Sequence, residues 1–404
     1  MRRVHGPCAA LLVAVMLSVA CAAMAEPQRI IIGPYVQNVG KNSATICWST
    51  LAGEVKYDPA SLDKATGVRT YVNHKTTLRY LKPGTTYTYD VLDDGSDLGK
   101  GSFTTFPEGE QPFTFLAMSD LHGSQSPELI WKVMQRAIAE KPDLAFWTGD
   151  SVSNGLLLWH WEALFKAAVE LMRSVPVYPA LGNHELESPF YFDFFSLPGN
   201  QHYYSFDRSP AHFVVLDTWG PRMPYVYWRP NEFLTNQPVT QKQLGAFAER
   251  QQQYWREQME WFKDDLASHQ DAKYIFVFFH HPPHTGQASA QAQALRVRQR
   301  FGTIFQDYKV SGVFAGHTHQ YYHALAGGVH FVTTATAMNL DEADAPEPES
   351  LAHRKIQCYA RVDVGPEHTT VRIVDIDGNK IDEWEIPARP VTAAAPQLTQ
   401  ATWP

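Results

Sequence analysis

Five short runs of the sequence end in residues that bind hard or borderline metal ions. In chain order they are Ser119-Asp120-Leu121-His122, Gly149-Asp150, Gly182-Asn183-His184-Glu185, His280-His281-Pro282 and Gly316-His317-Thr318-His319. One run alone would be weak evidence, because such short combinations occur by chance in many chains. Carboxylate, amide oxygen and imidazole together suit Mn, Fe or Zn, whereas ligands that are all oxygen would indicate Mg or Ca. The five runs therefore predict a transition-metal site.

An apolar, strand-like segment precedes each run, at residues 113–118, 144–147, 175–181, 274–279 and 310–314. In an open α/β sheet, the carboxyl ends of the strands and the loops after them form the crevice in which ligands bind. Helical patterns alternate with these segments at residues 127–140, 159–173, 252–268 and 294–308. The alternation predicts an α/β sandwich with two central β-sheets flanked by helices. Later strands at residues 328–334, 359–364 and 370–376 are expected to close the second sheet in antiparallel pairing.

The ordered runs resemble the calcineurin-like metallophosphoesterase superfamily, whose blocks read D-x-H, G-D, G-N-H-E/D, H and G-H-x-H. The resemblance extends from Asp120 to His319 and implies a site with two metal ions. It assigns Asp120, His122 and His319 to the first metal. It assigns Asn183, His280 and His317 to the second metal. Asp150 would bridge the two, and the chemistry agrees, because a bridge needs anionic oxygens with free lone pairs.

A phosphate ester resists hydrolysis because its anionic oxygens repel the nucleophile and its leaving oxygen is a strong base. Two cations about 3.5–4 Å apart can generate hydroxide from water and neutralise the charge of an in-line displacement. We therefore expect an exported phosphoesterase that hydrolyses small phosphate monoesters by attack of a metal-bound hydroxide. Its cofactors would be two divalent or mixed-valence ions of Fe, Mn or Zn. Two alternatives remain: a phosphodiesterase, and a catalytically inactive, metal-bearing binding protein that uses an N-terminal β-sandwich.

His184 follows a ligand and is not expected to be one itself. In the family this residue faces the substrate, where it donates to a phosphoryl oxygen or protonates the leaving oxygen. The alternative is a histidine that only orients Asn183. Glu185 is expected to act as a structural hydrogen-bond acceptor.

Other histidines near the runs allow less specific predictions. We favour His280 over His281 as the ligand, because the family pattern is His-x-Pro. His284 and His323 are candidates for lining the substrate cleft, although nothing in the sequence fixes their direction. Residues 341–349 form an acidic, proline-bearing loop, for which solvation is favoured over cation binding.

The sequence departs from the purple acid phosphatase branch of the family at two positions. That branch has D-x-G and G-D-x-x-Y, whereas this chain has His122 and Ser153 at the corresponding positions. The tyrosine whose phenolate colours those enzymes is therefore missing. His122 would fill the coordination position, and the protein is expected to lack a purple colour.

Short β-rich runs from residue 30 to residue 106 predict a small all-β sandwich before the catalytic domain. Residues 81–89 resemble the fibronectin type III signature, in which a tyrosine ties back to the backbone of a corner. The same domain precedes the catalytic domain in purple acid phosphatases. It would act as a spacer packed against the enzyme or, alternatively, as a glycan-binding module. The predicted units are a signal peptide at 1–25, the β-sandwich at 26–108, the metallophosphoesterase domain at 112–387 and a disordered tail at 388–404.

The first 25 residues have the features of a secretory signal peptide: a basic start, an apolar stretch over residues 8–20 and small residues before Glu26. The predicted location is the periplasm or the exterior of the cell, and a lipid anchor on Cys21 is disfavoured because the lipobox leucine lies one position too early. No stretch reaches the roughly 20 residues that a spanning helix needs.

The chain has a formal net charge of −8. It shows no basic face for nucleic acid, and the sequence leaves the oligomeric state open. Cys47 and Cys358 remain after cleavage of the leader and are expected to be free thiols rather than a disulfide.

Overall fold

The structure is a computed structural model that describes residues 11–15, 30–55, 68–93, 96–123, 126–221 and 241–390. The predicted signal peptide therefore lies outside the described residues, apart from 11–15. Residues 222–240, which form most of an aromatic-rich segment, also lie outside the described residues.

The described residues form nineteen strands and five α-helices. The strands are β1 Leu11–Val15, β2 Ile30–Gln37, β3 Ser43–Val55, β4 Val68–Arg79, β5 Thr86–Asp93, β6 Ser96–Thr104, β7 Phe113–Met118, β8 Leu144–Trp147, β9 Val177–Pro179, β10 Tyr204–Arg208, β11 Ala211–Val215, β12 Tyr274–Phe278, β13 Gly312–Ala315, β14 Tyr321–Ala326, β15 Val329–Thr333, β16 Ser350–Arg354, β17 Cys358–Val364, β18 His368–Asp375 and β19 Lys380–Pro387. The helices are α1 Pro127–Ala139, α2 Leu158–Met172, α3 Pro189–Phe194, α4 Gln241–Ser268 and α5 Gln291–Asp307.

The N-terminal region is all-β, as predicted. One sheet has the order β2-β3-β4, and the other has the order β1-β5-β6. Apolar side chains from both sheets, including Trp48, Tyr89 and Phe103, share one buried cluster, which is consistent with a β-sandwich. The predicted corner is also present, since the hydroxyl of Tyr87 accepts a hydrogen bond from the backbone N–H of Lys82 at 2.8 Å.

Two mixed sheets form the second region and confirm the predicted α/β sandwich. The six-stranded sheet has the order β19-β18-β17-β7-β8-β9, and the seven-stranded sheet has the order β10-β11-β12-β13-β15-β14-β16. Phenylalanines from the two sheets meet in the core: the rings of Phe146 and Phe278 stack with centroids 3.7 Å apart. Burial of such rings is the main favourable contribution to the packing of two sheets. The strands β7, β8 and β9 are parallel, as are β11, β12 and β13.

One prediction about topology is wrong. The late strands β15, β17 and β18 do not close a single sheet: β15 pairs in parallel with β13 in the seven-stranded sheet, whereas β17 joins β7 in the six-stranded sheet. Alternating hydrophobicity shows that a segment is a strand, but it does not show which strand is its partner. The cysteines are as predicted, because Cys47 and Cys358 are both free and buried.

The two regions make direct hydrogen bonds. The amide of Gln37 donates to the carbonyl of Val177 at 3.1 Å, and the hydroxyl of Tyr89 donates to the carbonyl of Arg173 at 3.0 Å. At the other end of the chain, Arg389 lies in the predicted tail yet is buried. Its guanidinium donates to the carbonyls of Ala272 and Tyr308. Residues 391–404 lie outside the described part. Among the described helices, none is both long and apolar enough to cross a membrane.

Candidate metal centre

The predicted ligands converge where strands of the two sheets end. Asp120 and His122 follow β7, Asp150 follows β8, and Asn183 follows β9. On the facing sheet, His280 follows β12, and the pair His317 and His319 follows β13. Parallel strands end at the same edge, so five separate segments deliver side chains to one crevice.

The first group consists of Asp120, His122 and His319, whose ligand atoms all lie within 4.8 Å of one another. The Nε2 of His319 is 3.4 Å from Oδ1 of Asp120, and the Nε2 of His122 is 4.0 Å from the same oxygen. His122 is buried, and neither of its ring nitrogens has a hydrogen-bond partner. An unpaired buried polar group is costly. A metal ion at this position would bind a ring nitrogen of His122, so Asp120, His122 and His319 fit a metal site.

The second group is built around His280. Its Nε2 is 3.2 Å from the amide oxygen of Asn183, and its Nδ1 donates to the carbonyl of Thr148 at 2.9 Å. That backbone contact places a proton on Nδ1 and leaves Nε2 to coordinate a metal. Histidines that bind metals commonly donate their other ring N–H to a carbonyl or carboxylate in this way. His317 contacts Gln293 through Nε2 at 2.9 Å, so Nδ1 is the atom that it would offer to a metal.

Asp150 lies between the two groups. Its Oδ2 is 3.0 Å from Nε2 of His280 and 3.9 Å from Nε2 of His122. Its Oδ1 accepts the backbone N–H of His184 at 2.8 Å. This position is the one that a bridging carboxylate would occupy.

Burial and mutual charge set the protonation of the cluster. Burial lowers the pKa of His122 and of His317 to about 4, which favours the neutral imidazole that a metal requires. Burial alone would lower the pKa of His280, but the neighbouring Asp150 carboxylate outweighs it and raises that pKa to about 9. Burial would raise the pKa of Asp150, yet His280 holds it well below its usual range. The carboxylate thus remains anionic.

The backbone at the cluster is unusual. Five of the seven predicted ligands adopt the left-handed region: Asp120 (φ 51°), His122 (φ 44°), Asp150 (φ 51°), His317 (φ 73°) and His319 (φ 44°). Non-glycine residues seldom adopt this conformation, and when they do they concentrate at functional sites. The local turn around His317 is therefore made largely by the histidines themselves. Gly316 permits close approach, since a Cβ there would lie 1.7 Å from Oγ of Ser119.

Glu185 supports the cluster from behind. Its buried carboxylate accepts the backbone N–H groups of Asp150 at 2.9 Å, Ser151 at 2.7 Å and Gly182 at 2.7 Å. Burial, followed by the charge of Asp150, raises the pKa of Glu185 to about 7. The side chain is a structural acceptor, as the sequence predicted.

His184 is held at the edge of the cluster. Its Nδ1 donates to the carbonyl of Ser153 at 2.7 Å, and its Nε2 is 3.9 Å from Oδ2 of Asp150. Its side chain is 23% exposed, compared with 1% for His122. An oriented and partly exposed imidazole can donate a proton or a hydrogen bond to a bound ester.

The structure places the predicted cleft histidines in other clusters. His284 contacts Glu347 through Nδ1 at 2.7 Å, and His323 contacts His330 through Nε2 at 2.9 Å. Each ring thus has a partner outside the metal cluster. His281 lies closer to the site: its ring centroid is 4.3 Å from that of His317. Its Nδ1 contacts the hydroxyl of Thr218 at 3.0 Å.

Two supporting residues were missed in the sequence. Gln293 on α5 contacts Nε2 of His317 at 2.9 Å. Asp341 comes from the acidic loop predicted to be solvated. Its Oδ2 lies 3.6 Å from Nδ1 of His319, and its backbone N–H donates to the carbonyl of His319. Neither residue belongs to a motif run.

A further cluster of Asp207, His212, Asp265 and His269 lies outside the metal centre; we refer to it as the His212 cluster. Three of its members, Asp207, His212 and His269, have ligand atoms close enough together to hold a metal. However, His212 is buried with Nδ1 2.7 Å from Asp207 and Nε2 2.9 Å from Asp265. His269 stacks on it with ring centroids 3.8 Å apart and an interplanar angle of 12°. Stacked rings direct their nitrogen lone pairs side by side rather than toward one point, so we interpret the cluster as an imidazolium between two carboxylates.

Comparison with known proteins gives the same class as the geometry. The calcineurin-like phosphoesterase family profile matches residues 113–321, which is more than half of the chain and includes all predicted ligands. The chain belongs to the calcineurin-like phosphoesterase family.

Individual relatives are distant. Purple acid phosphatase 23 of Arabidopsis thaliana is 25% identical over 176 residues, which is 40% of this chain and 32% of that protein. A probable glycerophosphodiester phosphodiesterase of Arcobacter nitrofigilis is 26% identical over 199 residues, or 48% of this chain and 63% of that protein. The chain therefore spans less than two thirds of either relative. The solved purple acid phosphatase PPD1 from yellow lupin seeds superposes with a TM-score of 0.63 at 15% identity, covering 91% of this chain and 77% of that one.

Proposed function

We propose that the protein is an exported phosphoesterase that uses two metal ions to hydrolyse phosphate monoesters. The observation that carries the proposal is the position of Asp150, whose Oδ2 faces His122 of one ligand group and His280 of the other. One carboxylate shared by two groups of nitrogen and oxygen ligands is what a dinuclear hydrolase needs. Two bound metals would lower the pKa of a water molecule and neutralise the charge of the phosphoryl group.

The chain's own residues would divide the remaining work. Asp120, His122 and His319 would hold one metal, and Asn183, His280 and His317 would hold the other. Carboxylate, amide and imidazole ligands support Fe, Mn or Zn.

His184 would donate to a phosphoryl oxygen or protonate the leaving oxygen. Its orientation supports this role, because the carbonyl of Ser153 fixes Nδ1 as the donor of that bond and leaves Nε2 facing the cluster.

Phosphodiesters are the second candidate substrates. The Arcobacter relative is named as a probable diester phosphodiesterase, whereas the Arabidopsis relative is named as a phosphatase. Activity on a panel of aryl phosphate monoesters and diesters, with enzyme reconstituted separately with Mn, Fe and Zn, distinguishes them. We expect monoesters to give the higher kcat/KM.

Two variants test the division of roles. Asp150→Asn removes the anionic bridge, so we expect metal and activity to be lost together. His184→Ala leaves all seven proposed ligands, so it should retain close to two metals per chain while turnover falls on the order of 10²–10⁴-fold. The control is His368→Ala, which removes an exposed histidine on β18. Metal loss in His184→Ala as complete as in Asp150→Asn would reassign His184 as a ligand or as support for one.

Export is proposed from the basic start, the apolar stretch and the small residues that precede Glu26. Intact-mass measurement on protein recovered from outside the cytoplasm should give a chain that begins at or near Glu26. A chain that retains Met1 would contradict export, and a lipid-modified Cys21 would show an anchored protein instead.

A further inference from the structure

An open pocket with a volume of about 430 Å³ lies between helices α4 and α5. Four cationic side chains, Arg256, Lys263, Arg296 and Arg300, line it, together with the single carboxylate of Glu260. Within the described residues, none of the four cations has a carboxylate partner within salt-bridge distance. Like charges around one opening repel one another, and a bound anion would relieve that repulsion. This accumulation is notable in a chain whose formal net charge is −8.

One of the cations is held in a fixed orientation. The guanidinium carbon of Arg300 lies 3.7 Å from the ring centroid of Trp255. Burial, followed by the charge of Arg296, lowers the pKa of Arg300 to about 10, so the group remains charged at neutral pH. A planar guanidinium stacked on an aromatic ring keeps its N–H donors at its edge, where they can bind the oxygens of a phosphate.

Helix α5 connects the pocket to the metal centre. Gln293, Arg296 and Arg300 are spaced i, i+3 and i+7 and therefore share one face of the helix. The first of them contacts the proposed ligand His317 at 2.9 Å. With a rise of 1.5 Å per residue, the two arginines lie about 5 Å and about 10 Å further along the helix axis.

A second connection runs through the loop after β11. Trp219 stacks on His281 with ring centroids 4.7 Å apart, and His281 in turn lies against His317. The next residue, Gly220, packs so closely on Trp255 that a Cβ there would lie 2.6 Å from the indole ring. Asp217 fixes this loop by accepting the N–H groups of both Trp219 and Gly220. The loop that contains Trp219 and Gly220 therefore contacts both a residue of the pocket and a residue beside the metal centre.

We propose that this pocket is a subsite for a second anionic group of the substrate. The substrate class is a phosphate ester that carries another phosphate or pyrophosphate at least about 10 Å from the scissile phosphorus, because the helical rise from Gln293 to Arg300 contributes about 10 Å and the scissile phosphorus lies beyond the His317 ring that Gln293 contacts. The inference rests on the proposed phosphoesterase function and specifies its substrate. Binding at the subsite would orient the scissile phosphate at the metals through an interaction remote from the reacting atoms.

The test compares two substrates on metal-loaded enzyme: a twelve-carbon linear alkanediol bisphosphate, which is long enough to span this separation, and the matching hydroxyalkyl monophosphate. We expect the bisphosphate to have a KM about tenfold lower, because charge-assisted hydrogen bonds to the distal phosphate are added. The double variant Arg256→Gln/Arg296→Gln should remove most of this preference. Both side chains are exposed, so the substitutions should not disturb folding. Lys166→Gln, which removes one exposed cation from α2, should retain the preference.

The outcomes separate the two proposals. Hydrolysis of both substrates with equal KM in the unmodified enzyme, or a bisphosphate preference that the double variant retains, would overturn the subsite while leaving the phosphoesterase function intact. Failure to hydrolyse either substrate with any of the metals would instead refute the proposed function.

Discussion

Replacing Glu185 should test whether the metal centre is preorganised by backbone hydrogen bonds. The carboxylate accepts three buried N–H groups, of which those of Asp150 and Gly182 bind Oε2 and that of Ser151 binds Oε1. Each buried donor left without a partner costs about 1–3 kcal/mol. Glu185→Ala leaves three such donors and should therefore lower the free energy of unfolding by about 3–9 kcal/mol.

Glu185→Gln should have a smaller effect. Its amide oxygen can occupy the Oε2 position and keep two of the three bonds, whereas its NH₂ group would face the N–H of Ser151. One lost bond predicts a decrease of about 1–3 kcal/mol. The decrease in the free energy of unfolding should therefore be clearly larger for Glu185→Ala than for Glu185→Gln. Because proteins are stable by only about 5–15 kcal/mol, Glu185→Ala should be close to unfolding.

The assay is urea unfolding of metal-free and of metal-loaded protein at about pH 8, above the Glu185 pKa of about 7, so that the carboxylate is ionised. The metal-free measurement is decisive because it removes any effect of weakened metal binding. Glu249→Gln, an exposed position on α4, gives the control for loss of a negative charge and should be within about 0.5 kcal/mol of the unmodified protein. If metal-free Glu185→Ala were as stable as the control, the three backbone donors would not depend on the carboxylate and our account of the site would be refuted.

Two further predictions follow from polar side chains in and near the site. Iron-loaded, air-oxidised enzyme should lack an intense purple absorption band, because neither Ser153 nor His122 can supply a phenolate, and a strong band at full metal occupancy would show that a tyrosine reaches the iron. In the His212 cluster, burial alone would lower the pKa of His212, but Asp207 and Asp265 outweigh it and raise that pKa. A raised pKa gives stability that is fully present below about pH 6.5 and lost as pH rises through the folded-state value. The difference in unfolding free energy between the unmodified protein and His212→Asn should therefore shrink as the pH rises above about 6.5, and a difference that stays constant with pH would show that His212 does not titrate as argued.

The sequence was sufficient to predict that the proposed metal ligands gather at one crevice, because each of them follows an apolar strand within a few residues. That local relation fixes the edge of the sheet at which Asp120, Asp150 and His280 emerge, whatever the order of the strands. Their convergence then follows from the geometry of parallel strands. The order of the five runs also indicated the family, which the match over residues 113–321 confirms.

The supporting contacts could not be predicted in this way. Gln293 lies within a helix of ordinary composition, and Asp341 lies in a loop whose acidity suggested only solvation. Both reach the metal centre through tertiary packing, which brings α5 and the loop after β15 beside the Gly316–His319 turn. No local sequence pattern predicts these tertiary contacts. The partners of β15 and β17 were misassigned for the same reason, because the hydrophobic pattern of a strand does not identify the strand that pairs with it.

The two departures from the purple acid phosphatase pattern are adjacent in space. The hydroxyl of Ser153 donates to the carbonyl of His122 at 3.4 Å, and the carbonyl of Ser153 accepts from the ring of His184. Ser153 thus contacts both the proposed ligand His122 and the proposed proton donor His184. The tyrosines further along the chain do not restore a phenolate: the hydroxyl of Tyr321 donates to Asp382 at 2.6 Å, and that of Tyr322 accepts the N–H of Glu347 at 3.0 Å. The serine in the place of that tyrosine therefore helps to orient His184, and His122 beside it is the proposed nitrogen ligand in place of a phenolate oxygen.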